Sequence, residues 1–276
     1  MIELPYLLAV FSSIAYGAAD FFGGLASKRS AVVAVVIFSQ LAGLILVLLA
    51  LPFLPPSSPS VMDMALGAGA GLAGGVGVAL LYRALSVGVM SVVAPVTAVC
   101  AVVIPIIVGV ALGERPTTLA TIGVILAIVA IVLVSQSGEK HAAAGVPLAI
   151  AAGVAVGIFL LFLGRTGSPA GLWPLIAARV VSVSIFAAAA LVARKPLVPR
   201  ESMSIVILGG ALDMVANILY LLAVRRGLLS IVVTLTSLYP TSTIILARIV
   251  LRERLRPLQQ AGVVCAVIAI VLIVSS

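Results

Sequence analysis

Residues 81–136 and 219–276 read as two copies of one segment, and five apolar runs can be counted up to the end of each copy. Leu81-Tyr82 matches Leu219-Tyr220, and after one slipped residue 88–134 runs against 227–273 at a constant offset of 139. Ser91, Thr97, Glu114, Arg115 and Gly123 fall on Ser230, Thr236, Glu253, Arg254 and Gly262. An odd number of membrane crossings per half starts the second half on the opposite face, so the copies are expected to be inverted with respect to each other. Such a pair encloses a central site with two exits. The halves are taken as residues 1–138 and 139–276.

Crossing a bilayer as helix takes roughly 20 apolar residues, and ten such runs are present, at about 4–26, 31–52, 63–84, 89–112, 117–136, 145–164, 171–192, 203–224, 229–250 and 257–275. With 63% hydrophobic and 9% charged residues, and a mean hydropathy of +1.39, the composition lies far outside that of a soluble domain. The reading is an all-α, polytopic membrane protein: ten transmembrane helices as two inverted five-helix repeats around a central cavity. The connections leave no room for a soluble domain. The first run is too long for a signal peptide, lacks a basic leader and ends in Lys28-Arg29, so it is expected to be retained.

The formal charge of +8 comes from sixteen Lys and Arg scattered over loop ends, which excludes the single basic face of a nucleic-acid binder. Cys100 and Cys265 lie within apolar runs and offer no disulfide framework. His141 is the only histidine and stands in a loop without a second ligand nearby, so no metal site is expected. No cofactor is expected either. Ten crossings put both termini on one side, where Arg115, Arg165, Arg225 and Arg226 lie. The other side collects Lys28, Arg29, Arg83, Lys140, Arg194, Lys195, Arg200, Arg248, Arg252, Arg254 and Arg256. By the positive-inside rule this count places the termini outside the cell.

The third run carries Gly67, Gly71 and Gly75 at intervals of four, and the sixth carries Gly153 and Gly157, faces on which a neighbouring helix can approach closely. Pro95, Pro105 and Pro240 lie in the paired fourth and ninth runs, where they are expected to kink or open the helices. Glu114 and Glu253 follow those runs and read as capping and helix-anchoring positions.

Three charged side chains fall well inside the runs: Asp20, Arg179 and Asp213. Facing lipid, each would cost several kcal/mol, so each is expected to face the bundle interior or a water-filled cavity. At 1.5 Å of rise per residue, Asp20 and Asp213 lie roughly 12 and 14 Å from the same face, and Arg179 starts at roughly 22 Å with a stem long enough to reach back. Tyr16 stands four residues before Asp20, Asn217 four after Asp213 and Tyr220 seven after it, on the same helical faces. The ninth run adds a polar stripe of Ser230, Thr234, Ser237 and Thr241. Tyr82 and Tyr239 read as interfacial belt residues or as cavity walls. At the charged positions the two copies disagree: Asp20 aligns with Leu160, Arg179 with Gln40, Asp213 with Gly75 and Asn217 with Ala79. A scaffold symmetric in packing and asymmetric in polarity suits an asymmetric solute. The candidate substrate-binding or coupling residues are thus Tyr16, Asp20, Gln40, Tyr82, Arg179, Asp213, Asn217, Tyr220, Ser237 and Tyr239. A structural ion pair between Arg179 and either acid is the plainer account of those charges.

Gly113-Glu114-Arg115-Pro116 and Arg252-Glu253-Arg254-Leu255, each followed by a Gly-containing closing run, resemble the drug/metabolite transporter superfamily, of the EamA-like type. Ala178-Arg179 and Ser237-Leu238-Tyr239-Pro240 are similar to that family as well. The resemblance covers the whole chain. It implies ten helices in two inverted halves around a central cavity, movement of small metabolites such as amino acids, often outward, and both termini in the cytoplasm. The expected side of the termini follows the resemblance, against the basic-residue count. Asp20 and Gln40 depart from the family pattern.

The expected function is a secondary active transporter of amino-acid-like or amphipathic metabolites in the cell membrane, exporting by alternating access. Its partners are a small-molecule solute, membrane lipid and no nucleic acid, and the protein is a monomer or homodimer. Asp20 or Asp213 could exchange protons with the two sides in turn and couple transport to a proton gradient. A second reading is export of cationic drugs, which the acids suit and Arg179 opposes. An intramembrane enzyme or receptor-like scaffold is the reading from another class. No nucleophile with its base and no phosphate-binding loop supports enzymatic or ATP-driven chemistry, so no catalytic residue is assigned.

Overall fold

The computed structural model describes residues 4–111, 117–135, 144–194, 198–199, 201–224, 226, 232 and 235–274. Among these the chain forms ten α-helices and no strand: α1 (Leu4–Ser27), α2 (Val32–Ala50), α3 (Val61–Val87), α4 (Met90–Ala111), α5 (Thr118–Ser135), α6 (Val146–Gly164), α7 (Trp173–Val192), α8 (Met203–Val224), α9 (Tyr239–Val250) and α10 (Pro257–Val274). Helices α1, α2, α3, α6, α7 and α8 are long and apolar enough to cross a membrane, and α4, α5 and α10 contain shorter apolar stretches. Without water in the bilayer, a helix satisfies every backbone group internally, which is why apolar runs of this length fold this way. Large apolar side chains such as Leu49, Ile125 and Ile249 are exposed and suit contact with lipid chains.

Helix packing repeats across the chain. α1 packs on α8 as α6 packs on α3, α2 on α8 as α7 on α3, and α1 on α9 as α6 on α4, while α5 lies against α10 and α2 against α7. The glycines explain how close these contacts are. A Cβ on Gly71 would overlap the backbone of Ala178, and a Cβ on Gly210 would overlap the backbone of Ser39 in the equivalent way. Gly71 and Gly210, and Ser39 and Ala178, each stand at the repeat offset of 139. Gly67 and Gly75 continue the α3 face against Pro174 and Ser182, and Gly153 and Gly157 meet α4 at Cys100 and Ile104. Where lipid is as apolar as the side chains, such close backbone approach is a main source of helix association.

The prolines behave differently from one another. α4 continues through Pro95 and Pro105 as a single helix, so the opening expected there is not seen in its backbone. At Pro240 the chain does open: Ser237 and Leu238 form a turn, and α9 starts at Tyr239 with the proline in its first turn. A proline lacks an N–H and costs nothing at a helix start, where that donor has no intrahelical partner.

Glu253 anchors two distant parts of the chain. Its carboxylate accepts the Met90 N–H at 3.0 Å, the Ser91 N–H at 3.0 Å and the Ser91 hydroxyl at 2.8 Å, capping α4 from the connection between α9 and α10. A negative charge at a helix N-terminus also complements the macrodipole. Its repeat counterpart Glu114 lies outside the described residues, as do Ser230, Thr234 and His141. Replacing Glu253 by alanine leaves these donors unpaired and should cost about 1–3 kcal/mol. A detergent thermal-unfolding curve that does not move for Glu253→Ala, with Glu253→Asp as the conservative control, would sink this assignment.

Candidate functional site

A cavity of about 190 Å³ lies within the bundle, walled by residues of α1, α3, α4, α6, α7, α8, the turn before α9 and the start of α9 itself. Eight of the ten residues expected from the sequence line it: Tyr16, Asp20, Arg179, Asp213, Asn217, Tyr220, Ser237 and Tyr239. They come from both halves of the chain, so only tertiary packing brings them together.

Its electrostatic centre is built on α7 and α8. The Arg179 guanidinium donates from Nη2 to Asp213 Oδ2 and from Nη1 to the Gln40 side-chain carbonyl on α2. The Arg179 side chain is 10% exposed and that of Asp213 is 24% exposed. Asn217, one turn after Asp213 on α8, donates to the Asp213 carbonyl at 2.8 Å and stands 3.5 Å from Oδ2. Desolvating an ion pair is expensive, and it persists where additional hydrogen bonds satisfy both partners; Gln40 and Asn217 supply them here. The plainer expectation of an Arg179 ion pair is met by Asp213, not by Asp20.

Asp20 sits elsewhere on the wall. It projects from α1 within electrostatic reach of Asp213, Tyr16 and Tyr239, and among the described residues it has no hydrogen-bond or ion-pair partner. The rings of Tyr16 and Tyr239 lie 6.2 Å apart at 58°, so α1 and α9 present aromatic surface beside this carboxylate. Gly17 makes that approach possible, since a Cβ there would overlap the Tyr239 carbonyl, and the Thr243 hydroxyl donates to the Gly17 carbonyl at 2.9 Å.

Two expected residues stand outside the lining. Gln40 is buried behind Arg179 and holds it in place. Tyr82 is 3% exposed and packs its ring on Gly23 without lining the cavity, whereas its repeat counterpart Tyr220 lines it. The polar stripe divides: Ser237 lines the cavity and Thr241 is exposed. Sequence reasoning did not select Thr97 and Thr236 as site residues, although they were matched positions of the repeat. Both line the cavity; the Thr97 hydroxyl donates back to the Val93 carbonyl, and the buried Thr236 hydroxyl has no hydrogen-bond partner among the described residues. Matching polar residues in both copies, not only mismatched ones, were the missed signal.

With this arrangement in view, comparison with known proteins decides the class. The EamA-like transporter family matches residues 4–136 and 143–275. The chain belongs to the EamA-like transporter family. It is an integral membrane transporter of the drug/metabolite type, in a family of transporters, not enzymes. No curated protein matches the chain. Among solved structures, one described only as "Crystal structure of protein" matches with a TM-score of 0.55 at 14% identity, over 94% of this chain and 97% of that one. At that identity the likeness concerns the fold alone. The cavity of this EamA-like transporter is apolar over much of its wall, through Val78, Ala101, Phe159 and Leu160, with its charges gathered on α1, α7 and α8.

Proposed function

We propose that the protein is a secondary active transporter exporting small amino-acid-like or amphipathic metabolites by alternating access, with the cavity around Asp20 and the Arg179–Asp213 pair as its substrate site. The observation that carries this reading is the cavity itself: a largely apolar chamber holding the charged side chains that the bilayer would otherwise exclude.

Two halves, 1–138 and 139–276, related by inversion account for the packing. Repeat-equivalent helices make equivalent contacts, and Arg179 hydrogen-bonds Gln40, its own counterpart at the offset of 139, as residues beside a pseudo-two-fold axis would. The same comparison supports alternating access. Gly24 of α1 is in contact with Leu85 of α3, a Cβ there standing 2.6 Å from that of Leu85, whereas a Cβ on Gly164, its counterpart on α6, would meet nothing within 4 Å among the described residues. Tyr82 is buried at the closed contact and Tyr220 faces the cavity at the open one. In the other state α6 closes on α8 and α1 separates from α3.

Joining Gly24→Cys to Leu85→Cys, with Cys100 and Cys265 replaced, holds the α1–α3 contact shut; a bridge between such adjacent β-carbons needs only a small shift. Flux should fall to background on oxidation and return on reduction, and undiminished flux through the bridged protein would contradict this gate. The reading as a whole is tested in liposomes with labelled amino acids, amines and sugars, with and without a pH gradient. Absence of flux across that panel removes it. Our reading places both termini in the cytoplasm, and a C-terminal reporter active only there should light up; a silent reporter favours the basic-residue count instead.

A further inference from the structure

We propose that Asp20 is the docking point for a cationic group of the solute, a protonated amine held beside the rings of Tyr16 and Tyr239. This rests on the transporter reading and names the substrate class for its cavity.

Among the described residues, three charged side chains line the chamber, and two of them already satisfy each other. Arg179 is committed to Asp213 and Gln40, so its positive charge is not free to receive an anion. Asp20 has no such partner among the described residues. Among the described residues the cavity therefore carries one uncompensated carboxylate. Charged groups inside a membrane are almost always paired; the missing partner of Asp20 is supplied by the solute.

The surroundings of Asp20 suit a cation specifically. Tyr16 is one helical turn before it on α1, and the Tyr239 ring lies 6.2 Å from that of Tyr16. An ammonium drawn to the carboxylate also meets aromatic surface, which attracts positive charge through the ring quadrupole and repels negative charge. Phe159 and Leu160 of α6 add apolar surface to the lining, so the occupant has an apolar body attached to its amine head. The expectation that Arg179 opposes cationic solutes does not hold in this geometry, because Asp213 neutralises it locally.

Three probes with the same phenylethyl body isolate the charge: 2-phenylethylamine, its isostere 2-phenylethanol, and 3-phenylpropionate, measured by equilibrium binding to the purified full-length protein in detergent. The amine should bind at least about tenfold more tightly than the alcohol, and the anion most weakly, as charge-assisted pairing in a desolvated site requires. Asp20→Asn should erase that preference while unfolding at the wild-type temperature without ligand. Tyr239→Leu should weaken amine binding and Tyr239→Phe preserve it. An amine that binds no better than the alcohol, or does not bind at all, overturns the proposal on the wild-type protein alone. Liposome flux separates the two readings. Transport of any panel solute without amine preference in binding leaves the transporter standing and removes the cation site, and amine-selective binding without flux of any panel solute does the reverse.

Discussion

Arg179→Met should destabilise the protein by about 3 kcal/mol and abolish flux, the larger of the two effects the site geometry leads us to expect. The substitution keeps the length of the stem but leaves the Asp213 carboxylate facing a cavity without its cation and Gln40 without its donor. Removing one partner of a buried pair costs about 3–5 kcal/mol because the other charge stays behind, and the partial exposure of Asp213 places the expectation at the lower end of that range. Arg179→Met combined with Asp213→Asn removes both charges, so most of the stability should return while flux stays at background. Thermal unfolding of the four proteins in the cycle gives the coupling energy directly. Additive losses would show that the pair is not energetically coupled, and flux in the double variant would show that it is not needed for transport.

Asp20→Asn should do the opposite: stability unchanged within about 0.5 kcal/mol, because no partner is lost, and loss of pH-driven accumulation against a solute gradient. Of the two acids on the wall, Asp213 is paired with Arg179, so a proton-coupled cycle of the kind expected from the sequence would run through Asp20. The check is accumulation in liposomes with an imposed pH gradient, beside passive exchange without one. Asp20→Asn protein that accumulates solute as the wild type does removes Asp20 from coupling, whatever its role in binding.

Much of the helical scaffold could be read directly, and the reasons are local. A run of about 20 apolar residues has one stable form in a bilayer, and each predicted run corresponds to a helix, although the described part of the ninth is only Tyr239–Val250 with a turn before it. The glycine spacing of four on α3 identified a packing face before its partner was known, and that partner proved to be Pro174, Ala178 and Ser182 on α7. Pro95 and Pro105 are a partial counterexample: they suggested a kinked or locally opened helix, and α4 continues through both without an opening. Depth along each helix grouped Asp20, Arg179 and Asp213 correctly as occupants of one region.

Pairing within that region was beyond such reasoning. Depth is a one-dimensional coordinate, whereas ion pairing depends on which helix faces meet, and both acids were equally good partners for Arg179 on paper. Likewise Tyr82 and Tyr220 are equivalent by repeat, and only the packing of α1 on α3 buries one against Gly23 while leaving the other on the cavity wall. The sequence by itself determined the helices, the repeat and the membrane class, because these follow from apolar length and periodicity. The tertiary structure alone decided that Arg179 belongs to Asp213 and that Asp20 is left without a partner among the described residues, because charges separated by more than 30 residues, or by nearly 200, meet only through the packing of other helices between them.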